Sequence, residues 1–297
     1  MVRKQRLYTT LALLLVVMIV VCIFLPGCAQ SLFYYPDQKD YGSSPARQNL
    51  SYEDVTFSST NGAQLHGWFV PAGNGLTTQQ AKGTVIQVHG NAGNLTGHWS
   101  FIEWLPAYGY NVFAFDYQGY GQSEGKPNPK KLFEDTQSAI DYVRVREDID
   151  PQKLLIIGQS LGGNNSIAAV GSGNKQGICA MVIDSTFYSY ASIANDKLPG
   201  AGILTNNHYS ANKFVKAIAP IPLLFIHGKK DDIIPYKHSQ RLFDLANEPK
   251  ELVLIENGVH ISALLEMHGN VYKDLVDKFF MRALGNCQNM SKVDVSK

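Results

Sequence analysis

The chain opens with one hydrophobic block and then changes style twice. Arg3, Lys4 and Arg6 precede an apolar run from Leu11 to Leu25, and no charge occurs between Arg6 and Asp37. A basic start, an apolar middle and small residues after it predict an export leader, residues 1–28. The 19 residues Leu7–Leu25 also suffice for an uncleaved membrane anchor. Residues 29–50 carry Pro36, Gly42, Ser43, Ser44 and Pro45 without apolar periodicity and read as a tether. From Ser51 onward Tyr52–Ser58 and Gln64–Val70 alternate around Asn61-Gly62, which predicts a hairpin.

Beyond the hairpin, short unbroken apolar runs recur at Thr84–His89, Asn111–Asp116, Lys153–Gly158, Met181–Asp184, Leu223–His227 and Leu252–Glu256. They are too short for helices and apolar on both faces, as buried parallel strands require. Helical periodicity fills most gaps, at Pro129–Val145, Leu161–Val170, Ser239–Ala246 and Val271–Leu284. Strand alternating with helix after an antiparallel hairpin predicts an α/β fold: an eight-stranded, mostly parallel sheet flanked by helices. The domain is expected over 51–286, with Ser185–Pro220 as a small cap segment and 287–297 as a tail.

Composition narrows the function classes. With 45% hydrophobic and 17% charged residues, the 297-residue chain has material for a large core, not a disordered tract. Of 26 basic residues three lie in the first ten positions, and no acid precedes Asp37, so 23 basic residues face 25 acidic ones from Ala29 on. A near-neutral body argues against nucleic acid as a partner. Two of the four cysteines, Cys22 and Cys28, belong to the leader. Cys179 and Cys287 remain, and two inert thiols is the preferred reading over a disulfide. No Cys/His cluster has zinc spacing, and no metal or cofactor is expected.

The chemistry is expected where strand Leu154–Ile157 runs into Gly158-Gln159-Ser160-Leu161-Gly162-Gly163 and then a helix. G-x-S-x-G at such a strand–turn–helix junction presents a strained serine at the carboxyl edge of the sheet, so Ser160 is the candidate nucleophile. A serine needs a base and an orienting acid. Asp231 and Asp232 follow strand Leu223–His227, and the residues alone do not separate them. His260 follows the last strand in a loop on the same edge, whereas His238 falls on a helix and His268 in or beside the final one. The oxyanion donors are expected from the backbone N–H groups of Asn91 and Leu161, with the Asn91 and Asn94 side chains as possible helpers. Phosphate binding by Gly90–Asn94 fails for lack of G-x-G-x-x-G or a Walker lysine. Gly119–Ser123 reads as a turn.

Taken together, His89-Gly90-Asn91-Ala92-Gly93-Asn94, Asp116-Tyr117-Gln118-Gly119-Tyr120-Gly121-Gln122-Ser123, the Ser160 motif, His227-Gly228-Lys229-Lys230-Asp231 and His260 resemble the α/β-hydrolase superfamily. The closer similarity is to its serine aminopeptidase-like and lysophospholipase-like branch, which includes membrane-anchored depalmitoylating enzymes. The resemblance implies Asp231 as the orienting acid. It also marks a departure, because Gln118 stands where that family usually has Arg. The activity implied is hydrolysis of carboxylic esters or thioesters of acyl chains on small-molecule or lipid substrates. A peptidase is the alternative, and an inactive binding module a more remote one.

The sequence Leu25-Pro26-Gly27-Cys28 resembles a bacterial lipobox, with Cys28 as the lipidated residue, although Pro26 is uncommon there. Sequons at Asn49, Asn94, Asn164 and Asn289 include two beside the expected crevice, which fits poorly with a glycosylating secretory route. The expectation is a lipid-anchored protein of the bacterial envelope facing the periplasm, with a single-pass signal anchor as the alternative.

Overall fold

The computed structural model describes residues 2–24 and 34–294, which fall into two units, one ending at Tyr35 and one starting at Pro36. The first is helix α1, Val2–Phe24. Among the described residues no helix is long and apolar enough to cross a membrane. Cys28 lies outside the described residues.

The second unit is built on eight strands: β1 Glu53–Ser58, β2 Gln64–Val70, β3 Thr84–Val88, β4 Asn111–Phe115, β5 Leu154–Gln159, β6 Ile178–Asp184, β7 Leu223–Gly228 and β8 Lys250–Ile255. Their order across the sheet is β8-β7-β6-β5-β3-β4-β2-β1. Only the pairings of β2, with β1 and with β4, are antiparallel. Strands β3 to β7 are buried at every position, as their unbroken apolar runs demand, while β1 alternates at the edge. Helices α2 Pro129–Arg144, α3 Leu161–Gly171, α4 Tyr190–Lys197, α5 Lys237–Leu245 and α6 Val271–Asp294 are the unit's longer helices, beside shorter helical turns such as Leu95–His98. Asn128 caps α2 through a 2.9 Å bond from Lys131 N, with Pro129 just inside. Leaving β3, the chain passes to β4 on one side, while β5 lies on the other. That reversal opens a crevice beyond the carboxyl ends of β3 and β5.

Two expectations differ from what is observed. Residues 37–50, read as a tether, are fastened to the body. The Asn94 amide donates to Asp37 O and Lys39 O at 3.2 and 2.9 Å, Thr96 Oγ1 accepts from Tyr41 N at 2.9 Å, and Pro45 is buried. Apart from one short turn, Ala46–Gln48, the segment is irregular; side-chain bonds and two backbone bonds, Gly121 N to Asp37 O at 2.9 Å and Ser43 N to Thr96 O at 3.2 Å, order it and leave no periodic trace in sequence. At the other end, Cys179 and Cys287 form a disulfide with a Cα–Cα distance of 5.7 Å, so the reading as inert thiols is corrected. Cys287 therefore belongs to the packed body, and α6 runs on through Asp294 where a tail was expected. The cap holds α4 and three short turns, Ala201–Leu204, Ala211–Lys213 and Val215–Ile218.

Candidate active site

Ser160 sits between β5 and α3 with φ 54° and ψ −116°, a conformation that costs a non-glycine residue about 1–3 kcal/mol. The surroundings hold it there: Ser160 N donates to Asp184 O at 2.8 Å and Ser160 O accepts from Thr186 Oγ1 at 2.7 Å. The flanking glycines are steric necessities. A Cβ on Gly162 would lie 1.8 Å from Val88 O, and one on Gly158 would lie 2.6 Å from Ser166 Oγ. Ser160 occupies the N-cap of α3 yet its side chain caps nothing, which leaves the hydroxyl for another partner.

That partner is His260, whose Nε2 is 3.1 Å from Ser160 Oγ. On its other side His260 Nδ1 is 2.7 Å from Asp231 Oδ2. The loop that carries His260 is itself strained, since Ile261 has φ 46°, unusual for a β-branched residue. Ser185, also at positive φ, clasps it by accepting from Ile261 N at 3.2 Å. Asp231 Oδ1 accepts from the backbone of Ile233 and Ile234 at 2.9 and 2.8 Å. Burial works to raise the Asp231 carboxyl, but hydrogen bonds from His227, His260 and the Ile234 backbone outweigh it and hold the group well below the usual carboxylate range. Its neighbour Asp232 is exposed. The structure thus brings Ser160, His260 and Asp231 into one hydrogen-bonded row and leaves Asp232 outside it.

The loop after β3 reaches the same place, since a Cβ on Gly90 would lie 3.6 Å from the Ser160 Cβ. Leu161 N, opening α3, and Asn91 N in this loop are the sequence-derived oxyanion donors. Asn94 is not a helper: its amide serves Asp37 and Lys39, and its Oδ1 accepts from Thr96 N at 2.9 Å. The residues that brace the loop went unread in sequence. Tyr120 Oη donates to Asn91 O at 2.8 Å, and Tyr117 Oη donates to His89 O at 2.8 Å. His98 stacks on His89 at 4.8 Å between ring centroids and donates from Nε2 to Ala92 O at 2.8 Å. Burial, with His89 alongside, pushes the His98 imidazole down to about 3, so it is neutral. The one available signal was Tyr120 itself, an aromatic held between two glycines in the turn that follows β4.

His238 stays apart from the row. It holds the cap instead, accepting from Tyr188 N at 3.0 Å and bonding Asp196 at the end of α4. Gln118, in place of the expected cation, donates its amide to Asp135 Oδ1 at 2.7 Å, so a neutral donor serves this buried acid. Among the described residues no group of three or more His, Cys, Asp or Glu side chains could hold a metal ion.

The family described as serine aminopeptidase, S33, matches residues 79–205. The uncharacterized protein YfhR of Escherichia coli (strain K12) is 47% identical over 269 residues, 90% of this chain and 93% of its own length. The α/β hydrolase domain-containing protein WAV2 of Arabidopsis thaliana is 32% identical over 252 residues, 79% and 80% of the two chains. Among solved structures an esterase of Pyrococcus furiosus superimposes with a TM-score of 0.68 at 22% identity, covering 84% of this chain and 98% of that one. An acetyl xylan esterase from Paenibacillus gives 0.65 at 18% identity, covering 82% and 85%. At such identities these two likenesses speak for the fold alone.

Proposed function

The chain belongs to the α/β-hydrolase superfamily, and from that premise we propose that it is a serine hydrolase of acyl esters or thioesters. The observation that carries the reading is the unbroken contact from Ser160 Oγ to His260 at 3.1 Å and from His260 to Asp231 at 2.7 Å. Ser160 Oγ attacks the acyl carbon while His260 Nε2 takes its proton. Asp231 holds the proton on Nδ1, so that Nε2 is the free base, and stabilises the imidazolium that forms. The Asn91 and Leu161 N–H groups receive the negative oxygen of the tetrahedral intermediate. His260 then protonates the departing alcohol or thiol. A water, deprotonated by the same imidazole, releases the acid from Ser160.

Substrates are small-molecule or lipid acyl esters. A panel of p-nitrophenyl esters from acetate to palmitate, acyl thioesters and aminoacyl p-nitroanilides tests this. Turnover of esters or thioesters well above anilides is expected. Preferential cleavage of the anilides would instead favour a peptidase, the activity in the matching family's description.

We further place the protein in the bacterial envelope, tethered through a lipid on Cys28. Three features support this: the basic-then-apolar leader, a disulfide suited to an oxidising compartment, and sequons Asn94 and Asn164 that are buried at 2% and 0% exposure. Acyl chains on Cys28 would contribute about 0.8 kcal/mol per buried methylene. Loss of lipid labelling with retention of the leader in Cys28→Ala is the expected result. Unchanged processing and fractionation would favour the uncleaved anchor or plain secretion.

A further inference from the structure

We infer that His227 is a positioning residue of this site: its Nε2–H shares Asp231 Oδ2 with His260 and thereby sets the pH at which His260 becomes a base. The inference rests on the triad reading above. His227 is the penultimate residue of β7, and the tight turn that follows Gly228 brings Asp231 back over it, with Asp231 N donating to Gly228 O at 3.2 Å. Gly228 is required there, because a Cβ would lie 2.2 Å from Gly258 O.

His227 is fully buried, and its Nε2 faces two acceptors, Asp231 Oδ2 at 3.0 Å and Ile234 O at 2.8 Å. Two acceptors at one ring nitrogen require that nitrogen to carry the hydrogen. At the other nitrogen, Nδ1, Ser239 Oγ lies 2.7 Å away on α5 and donates, fixing the tautomer. Asp231 therefore accepts four bonds, two on each oxygen, from Ile233, Ile234, His227 and His260.

Each donor draws off negative charge and makes the carboxylate a weaker base. An imidazolium beside a weaker base releases its proton at lower pH. Removing the His227 donor should do the opposite. The other titratable groups near the pair are Asp184 at the end of β6, His238 and Arg241 on α5, and His98 behind the β3 loop. On the surface, Lys229, Lys230 and Asp232 share the turn with Asp231. None of these bonds Asp231 Oδ2 in place of His227.

The test is the pH dependence of kcat/KM for a soluble short-chain ester. His227→Leu should move the midpoint of the acid limb upward by roughly 0.5–1 pH unit. His227→Gln, which offers an N–H at the position of Nε2, should return it towards wild type. Ser239→Ala should shift it in the same direction as Leu, by less. A folded, probe-labelled His227→Leu protein with an unmoved midpoint would overturn the inference. Should that variant not fold, ¹⁵N imidazole spectra of the wild-type protein decide. A neutral His227 with the hydrogen on Nε2 supports the assignment, and a hydrogen on Nδ1 overturns it. Wild-type protein lacking an acid limb would instead overturn the triad reading, whatever the variants do.

Discussion

Asp231 and Asp232 are identical residues adjacent in the chain, and only their surroundings give them different work. Asp231 is enclosed by four donors, whereas Asp232 faces solvent. Asp231→Asn should cut kcat by on the order of 10⁴, because the amide permits the wrong imidazole tautomer. Asp232→Asn should stay within about tenfold, an exposed charge having little leverage. Steady-state kinetics of the pair checks this, and a larger loss at Asp232 would reverse the assignment. His98 shows the same dependence on environment in its effect on stability. Its imidazole is held at about 3 in the fold but titrates near 6.5 once unfolded, so the unfolded chain binds the extra proton between those values. Stability from this group is complete above about pH 6.5 and is lost as pH falls towards 3, by up to about 1.4 kcal/mol per unit. Denaturant titrations at pH 7 and 4.5 should show wild type losing about 2–3 kcal/mol more than His98→Gln. Equal losses would mean that His98 takes up its proton in the fold.

At the scale of elements, the strands were legible within one to three residues: β3 to β7 because a strand covered on both faces has to be apolar throughout, and β1 and β2 through the alternation on either side of Asn61-Gly62. The Ser160 turn was legible for a related reason: its glycines answer contacts so close that no other residue fits. What escaped reading was held by partners distant in sequence. The loop Gly119–Ser123 looked like a simple turn, yet Tyr120 in it braces Asn91, 29 positions away. Tyr120→Phe removes that bond and keeps the ring, so kcat should fall about tenfold, the worth of one hydrogen bond of 1–1.5 kcal/mol, with KM little changed. Full activity in this variant would show that the loop holds its place without the phenol. Residues 37–50 escaped for the same reason, their backbone being fixed by Asn94 and Thr96 and not by any periodic face.

For the molecule as a whole, the sheet brings together Ser160, Asp231 and His260 from beyond three strand ends. The Cys179–Cys287 link ties the middle of the sheet to α6 across 108 residues of chain. In Cys287→Ser the fold should lose about 2–4 kcal/mol, the usual effect of removing a disulfide. By calorimetry this is a fall in Tm on the order of 10 °C. Labelling of Ser160 at room temperature should persist, since the link lies far from the crevice; an unchanged Tm would contradict a constraining role. Ser160 as the nucleophile is what the rest of the mechanism depends on, and covalent trapping reads it out. Intact protein is treated with a fluorophosphonate, digested, and the adduct located by mass spectrometry. One phosphonyl group on Ser160, absent from Ser160→Ala along with all ester hydrolysis, is the predicted result. An adduct on another residue, or labelling of Ser160→Ala at an undiminished rate, would contradict it.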